Sequence, residues 1–181
     1  MKLKGVLDRK FSSLEQAREF LEQSIGASYK VADIERKDAV RHPAPPFTTS
    51  TLQQEASRKL RLSVSATMRL AQGLYERGLI TYMRTDSTNL SSLALGTSKE
   101  FIVNNFGAEY SHPRQFHTKA KGAQEAHEAI RPTYISNTDI DGTPQEKKLY
   151  NLIWKRTVAS QMEDARMLNT TVKLSSDKRE E

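Results

Sequence analysis

The stretch "HPAPPF", residues 42–47, places three prolines within six residues. Proline fixes φ, lacks an N–H and restricts the residue before it, so this run fits neither a helix interior nor a central strand. It divides the chain, and a domain boundary is expected there. Upstream, residues 12–25 carry Leu14, Ala17, Leu21 and Ile25 at helical spacing, with Ser12 and Glu15 as a capping pair and Gly26 as a stop. "SYKVADIERKDAVRH" follows as a charged, edge-like strand.

Downstream, Ser50 and Gln53 predict the start of a second helix. A break near Leu62–Ser63 leads to a third, roughly 64–77, with Val64, Met68, Ala71, Leu74 and Tyr75 on one side and Gly78 as its C-terminal stop. "LITYM" is expected as a short strand, giving a helix–helix–strand order of helix-turn-helix or winged-helix type. Asn89 to Ser92 cap a helix ending near Phe106, and 109–124 is expected to be a polar loop. "AHEAIRPT" predicts an extended segment stopped by Pro132. Thr143, Pro144 and Glu146 open a last helix carrying Leu149, Leu152, Ile153 and Trp154 to about Met162, and "NTTVKLSS" predicts a final strand. The fold class is therefore α+β, predominantly helical.

Composition removes several functions. The 181 residues include no cysteine, which excludes disulfides, zinc–thiolate centres and thiol nucleophiles. No apolar run approaches a membrane span, and "MKLKGVLDRKF" lacks the apolar core of a signal peptide, so a cytoplasmic location without membrane partners is expected. His112, His117 and His127 lack metal-ligand spacing on a helix. "NTDIDG", residues 137–142, fits the opening of a calcium loop, but Lys148 stands where the closing glutamate belongs. No P-loop, dinucleotide-binding turn or nucleophile elbow occurs. Between Ser50 and Arg84, six basic residues face two acids, a local field that attracts phosphate polymers.

Tyr82 and Arg84 stand two apart in "GLITYMRTDS". On an extended backbone their Cα atoms lie about 6.5–7 Å apart on one face, together with Ile80, while Leu79, Thr81 and Met83 point the other way. A phenol with a pKa of about 10 becomes a useful nucleophile only beside a cation, a hydrogen-bond donor or a metal. A guanidinium fork matches phosphate oxygens and stays charged. The pair suits phosphoryl transfer, yet spacing alone equally describes a packed tyrosine beside a solvated arginine.

Three further blocks bear on this choice. "PFTTSTLQQEASRKL", "AQGLYERGLITYMRTDSTNLS" and "AQEAHEAIRPT" resemble, in order and spacing, consecutive blocks of the bacterial type IA DNA topoisomerases, from about Phe47 to Met162. The resemblance implies that Tyr82 attacks a DNA phosphodiester and becomes joined to the 5′-phosphate, and that Arg84 binds the scissile phosphate. His127 assists phosphate or nucleotide binding, with Asp86, Gln72, Glu76 and Arg131 in DNA-binding or supporting positions. It implies a winged-helix, catabolite-activator-like tyrosine domain over 46–165. Residues 1–45 and 166–181 belong to a partial, β-containing arch domain.

The partners implied are single-stranded DNA and the remaining domains of the parent enzyme, which relaxes negatively supercoiled DNA near the bacterial nucleoid. Magnesium belongs to that parent enzyme, with ligands in a Toprim domain that this chain lacks, so none is expected here and the chain alone is expected to be inactive. A non-catalytic winged-helix binder accounts for the basic stretch but not for "TYMRTDS" and "HEAIRPT" together. A tyrosine recombinase lacks its accompanying basic set here. Type II topoisomerases place the arginine directly before the tyrosine, where this chain has Thr81.

Overall fold

A computed structural model describes residues 4–116 and 127–178. His117 and the end of the expected polar loop lie outside the described residues. In chain order the elements are α1 (Leu14–Ser24), β1 (Tyr29–Arg41), α2 (Thr49–Leu60), α3 (Val64–Glu76), α4 (Ser92–Phe106), a 3₁₀ turn (Ala108–Tyr110), α5 (Pro144–Ser160) and β2 (Ala165–Ser176). The chain divides into two compact units, Met1–Ala39 with Arg166–Glu181, and Val40–Ala165.

In the first unit, β1 pairs with β2 as a two-stranded sheet. Asp177 and Ser28 bond at one end, while Lys173 faces Asp33 further along, so the strands run antiparallel. None of the described residues of α1, β1 or β2 is buried. The apolar stripe of α1 is solvent-facing, with Leu14 85% exposed. The cap of α1 is Ser13, not Ser12: Ser13 accepts from the Gln16 amide, and Gln16 in turn accepts from the Ser12 amide.

The second unit holds the core. Its centre is Phe47, Leu52, Leu74, Ile130, Leu149 and Ile153, contributed by α2, α3, α5 and two loop segments. Helix α5 packs on both α2 and α3. Its start is the expected one: Thr143 and Glu146 form a capping box around Pro144. At α2 the capping pair is Thr48 and Thr51 rather than Ser50 and Gln53. Helix α4 buries Ala94, Ser98 and Ile102, and Phe101 meets Trp154 of α5 edge to face at 5.6 Å. Tyr150 is buried and donates to the Asn137 carbonyl at 2.7 Å; burial, with Asp139 nearby, pushes its phenol up to about 12.

The expected strand at "LITYM" does not form. Ile80 makes a single antiparallel bridge to Pro132, and Phe47 makes another to Ile130. The Arg131 amide donates to the Thr81 hydroxyl instead of the Thr81 carbonyl, and the Ile130 amide donates to the Phe47 carbonyl, so the pairing stops at one rung. The described residues of this unit therefore carry isolated bridges where a winged-helix fold would place a hairpin.

A two-stranded sheet with no buried face gains little from burial and is marginal on its own. Amide exchange is expected to show this: β1 and β2 open at a cost of under about 2 kcal/mol, while core amides of α5 exchange only near global unfolding. Equal protection in β2 and α5 would contradict the assignment of stability to the second unit.

Candidate active site

The stretch carrying Tyr82 is anchored at both ends by threonine side chains. After α3, Gly78 turns the chain in a left-handed conformation, φ +69°, where a side chain would be strained. The Thr133 amide donates to the Leu79 carbonyl at 3.0 Å, and the Thr81 amide donates to the Arg131 carbonyl at 2.9 Å. The Thr81 hydroxyl donates to the Ala129 carbonyl at 2.7 Å and accepts from the Arg131 amide at 3.0 Å. Beyond the tyrosine, the Thr49 hydroxyl lies 2.9 Å from the Met83 carbonyl and 3.0 Å from that of Thr85, and accepts from the Thr85 amide at 2.9 Å. The Thr49 amide donates to the Thr85 carbonyl at 2.8 Å. The first turn of α2 thus holds one end of the stretch, and the 129–133 segment holds the other.

Between these anchors the chain bends at Thr81. Ile80, 2% exposed, joins Met83, 1% exposed, in the core and does not share the outer face with Tyr82. That corrects the simple alternation expected from an unbroken strand. From Tyr82 onward the alternation is regular: Tyr82, Arg84 and Asp86 face solvent, while Met83, Thr85 and Ser87 are buried.

Tyr82 is 42% exposed, and its ring meets that of Tyr75 edge to face, with centroids 5.3 Å apart. Tyr75 lies in the last turn of α3, and Gln72 stands three residues before it and four before Glu76, so Gln72 neighbours both on the helix surface. Gln72 Nε2 donates to Glu76 Oε1 at 2.6 Å. Gln72 lies one turn before Tyr75 on α3, and its bond ties it to Glu76. Among the described residues no ion pair joins Arg84 to Asp86; both extend into solvent.

His127 is exposed at the start of a segment whose Ala129 amide donates to the Asn89 carbonyl. Because the Ala129 carbonyl is bound by Thr81, this segment runs beside the residue preceding Tyr82. Arg131 spends its guanidinium inward. Nη2 and Nε reach Glu128 at 2.6 and 3.3 Å, and Nη1 reaches the Pro132 and Thr133 carbonyls at 3.0 and 3.3 Å. Glu128 also accepts from the Ser91 amide at 2.6 Å, at the start of α4. Burial favours the neutral Glu128 carboxyl, but the bonds from Arg131 and Ser91 outweigh it and hold the group below its usual range. The sequence signals for Thr49, Thr81, Tyr75 and Glu128 were weak, because each acts through a fold-dependent neighbour.

Among the described residues no three histidine, aspartate or glutamate side chains gather as a metal site. Asp139 is instead paired with Lys147 at 3.3 Å, and the Asp141 carbonyl accepts from Arg77 at 2.6 Å. No described helix is long and apolar enough to cross a membrane.

Comparison with known proteins gives a consistent picture. A family model described as DNA topoisomerase matches residues 2–181. DNA topoisomerase 1 of Synechococcus elongatus is 53% identical over 157 residues, 84% of this chain and 18% of the relative. DNA topoisomerase 1 of Zymomonas mobilis is 52% identical over 149 residues, 81% of this chain and 12% of the relative. The solved structure of full-length topoisomerase I from Thermotoga maritima matches with a TM-score of 0.69 and 40% identity, covering 94% of this chain and 29% of that one. The chain thus spans under a third of each of these proteins.

The Glu128–Arg131 clamp has a pH signature. A carboxylate with a depressed folded-state pKa stabilises above its unfolded value, and that contribution fades as pH falls through the folded one. Glu128→Gln is expected to cost about 1–3 kcal/mol near pH 7 by leaving Arg131 underpaired. The difference from the parent chain should shrink below pH 4.5, the ordinary value of the group. Urea midpoints of both chains measured from about pH 7 to about pH 3 check this. A pH-independent difference would place the cost elsewhere.

Proposed function

The chain belongs to the bacterial type IA DNA topoisomerase family, and from that membership we propose that Tyr82 is its strand-cleaving nucleophile. The observation that carries the proposal is the outward pairing of Tyr82 and Arg84, with Met83 buried between them and both flanks anchored by threonine hydroxyls.

The reaction is a transesterification. The Tyr82 phenolic oxygen loses its proton and bonds to the phosphorus of one DNA strand. The bond from phosphorus to the 3′ oxygen breaks, and that oxygen takes up a proton. The strand is left with a free 3′-hydroxyl and a 5′-phosphotyrosine ester. One phosphoester replaces another, so no nucleotide hydrolysis is needed for reversal. Arg84 supplies a fixed positive fork for the non-bridging oxygens as charge builds on them. His127, exposed on the neighbouring segment, donates to the same phosphate or an adjacent one. The edge of Tyr75 restricts the Tyr82 ring, which lowers the entropy lost on attack.

Residues 46–165 act as the tyrosine domain, a variant of the winged-helix arrangement, and 1–45 with 166–181 contribute to an arch. The substrate is a single-stranded segment of chromosomal DNA at the bacterial nucleoid. Magnesium serves the parent enzyme, and no three described histidine, aspartate or glutamate side chains gather to hold it. The described residues supply the tyrosine half of the reaction, a nucleophile and one phosphate-binding cation.

The test combines this chain with the remaining domains of a relative, magnesium and a single-stranded oligonucleotide, then traps adducts with detergent. A covalent adduct is expected at Tyr82, absent in Tyr82→Phe and reduced roughly 10²–10³-fold in Arg84→Ala, the usual cost of one electrostatic partner. An adduct of undiminished yield in Tyr82→Phe would remove the assignment. Plasmid relaxation by this chain alone, lost in Tyr82→Phe, would remove the claim that it is half of a site.

A further inference from the structure

The second unit carries sixteen basic and twelve acidic residues between Val40 and Ala165, a surplus of four. The tyrosine stretch does not hold that surplus, because Arg84 is offset by Glu76 and Asp86. A groove of about 630 Å³ between α2 and α5 does. Its walls carry Lys59, Lys147, Lys148, Lys155 and Arg156 against Glu55 and Asp139 only, three of the four surplus charges. The groove shares no lining residue with residues 79–87.

The charge is built in. Glu55 is buried on α2 and gathers Arg58, Lys59 and Arg156 at 3.0, 2.6 and 2.8 Å. Burial favours the neutral Glu55 carboxyl, but its bonds to Lys59 and Arg156 prevail and keep it ionised. One carboxylate therefore fixes three cations and leaves a net positive floor. Arg156 is further held by the Phe47 ring, 4.3 Å away, and by the Pro45 carbonyl at 3.2 Å. Lys148 and Lys155 stand two turns apart on one face of α5, about 10.5 Å along the axis. Both are exposed, and among the described residues neither has an acidic partner. Asn151 lies between them with an amide donor. Lys147 holds only Asp139, an exposed pair at 3.3 Å of the kind worth little against a competing anion.

We propose that the α2–α5 groove is a second DNA-backbone site, separate from the cleavage site, in which Lys148 and Lys155 contact successive phosphates above the Glu55-centred cations. The identification of the polyanion as DNA rests on the function proposed above. The groove offers donors and charge without aromatic side chains, so it holds phosphates without reading or stacking bases. Its role is to keep a DNA segment on the protein independently of the strand being cut.

Anisotropy of fluorescein-labelled duplex and single-stranded oligonucleotides over a salt series tests this with the chain itself. Lys148→Glu/Lys155→Glu is expected to weaken binding tenfold or more at low salt. It should also flatten the slope of log affinity against log salt by about 2, one for each phosphate no longer neutralised. Lys148→Gln/Lys155→Gln should give the same flattening with a smaller drop in affinity, which separates charge removal from misfolding. Lys99→Gln, exposed on α4 and outside the groove, should leave the slope intact. Unchanged affinity and slope in both double variants would overturn the groove assignment. Equal binding of poly-glutamate would overturn DNA as its occupant. Absence of the trapped Tyr82 adduct when the unmutated chain is combined with the remaining domains and magnesium, with groove binding intact, would instead fault the catalytic reading, so the two failures are distinguishable.

Discussion

Backbone groups of an irregular segment need partners as much as those of a strand do, and residues 79–87 depend on two threonine hydroxyls to supply them. Thr49 and Thr81 each accept from one amide and reach a carbonyl on another segment. With those partners in place, Met83 and Thr85 turn inward while Tyr82, Arg84 and Asp86 turn outward. A ladder would have satisfied the same groups, but it would also have kept Ile80 and Tyr82 on one face. The bend at Thr81 lets Ile80 stay in the core while Tyr82 leaves it. Exposure of the tyrosine is thus a consequence of hydrogen-bond geometry, not of strand alternation.

That arrangement explains which parts of the molecule were legible in sequence. The caps of α5, the stop at Gly78 and the α4 boundaries follow from local rules, and they appear where local chemistry puts them. The start of α2 does not, because Thr49 is drawn to Met83 and Thr85, and the cap shifts to Thr48. "LITYM" has strong β propensity and still makes one rung, since the Arg131 amide goes to the Thr81 hydroxyl and the Ile130 amide to the Phe47 carbonyl. The apolar stripe of α1 is real, but among the described residues nothing buries it. Of the chemical site, Tyr82 and Arg84 were visible as a pair. Tyr75 was legible only as a face residue of α3, and Glu128 only as a neighbour of His127, because their partners are set by tertiary packing.

Arg131 illustrates the same limit from the other side. In sequence it sits next to Pro132 within a block that includes His127, and it invites a phosphate-binding role. In the fold it has 13% of its side chain exposed and satisfies Glu128 and two carbonyls. Glu128 in turn fixes the first turn of α4 through Ser91. The arginine stabilises the turn that carries His127, which is a mechanical contribution to the site.

The distribution of charge argues for a division of labour. A cleavage site needs one well-placed cation whose field acts on a developing charge; a large positive surface beside it would bind ground state and transition state alike and gain nothing in rate. Retention of a polymer needs the opposite, several cations with no fine geometry and a salt-sensitive grip. On the readings proposed above, the chain separates the two. Arg84 stands among acids of comparable number, and the surplus is collected on α2 and α5 around a buried carboxylate. Clustering cations on Glu55 costs mutual repulsion that a scattered surface would avoid. Helix packing alone gives no reason to accept that cost, since apolar residues fill the α2–α5 contact equally well. A groove that must present positive charge to a phosphate chain gives one.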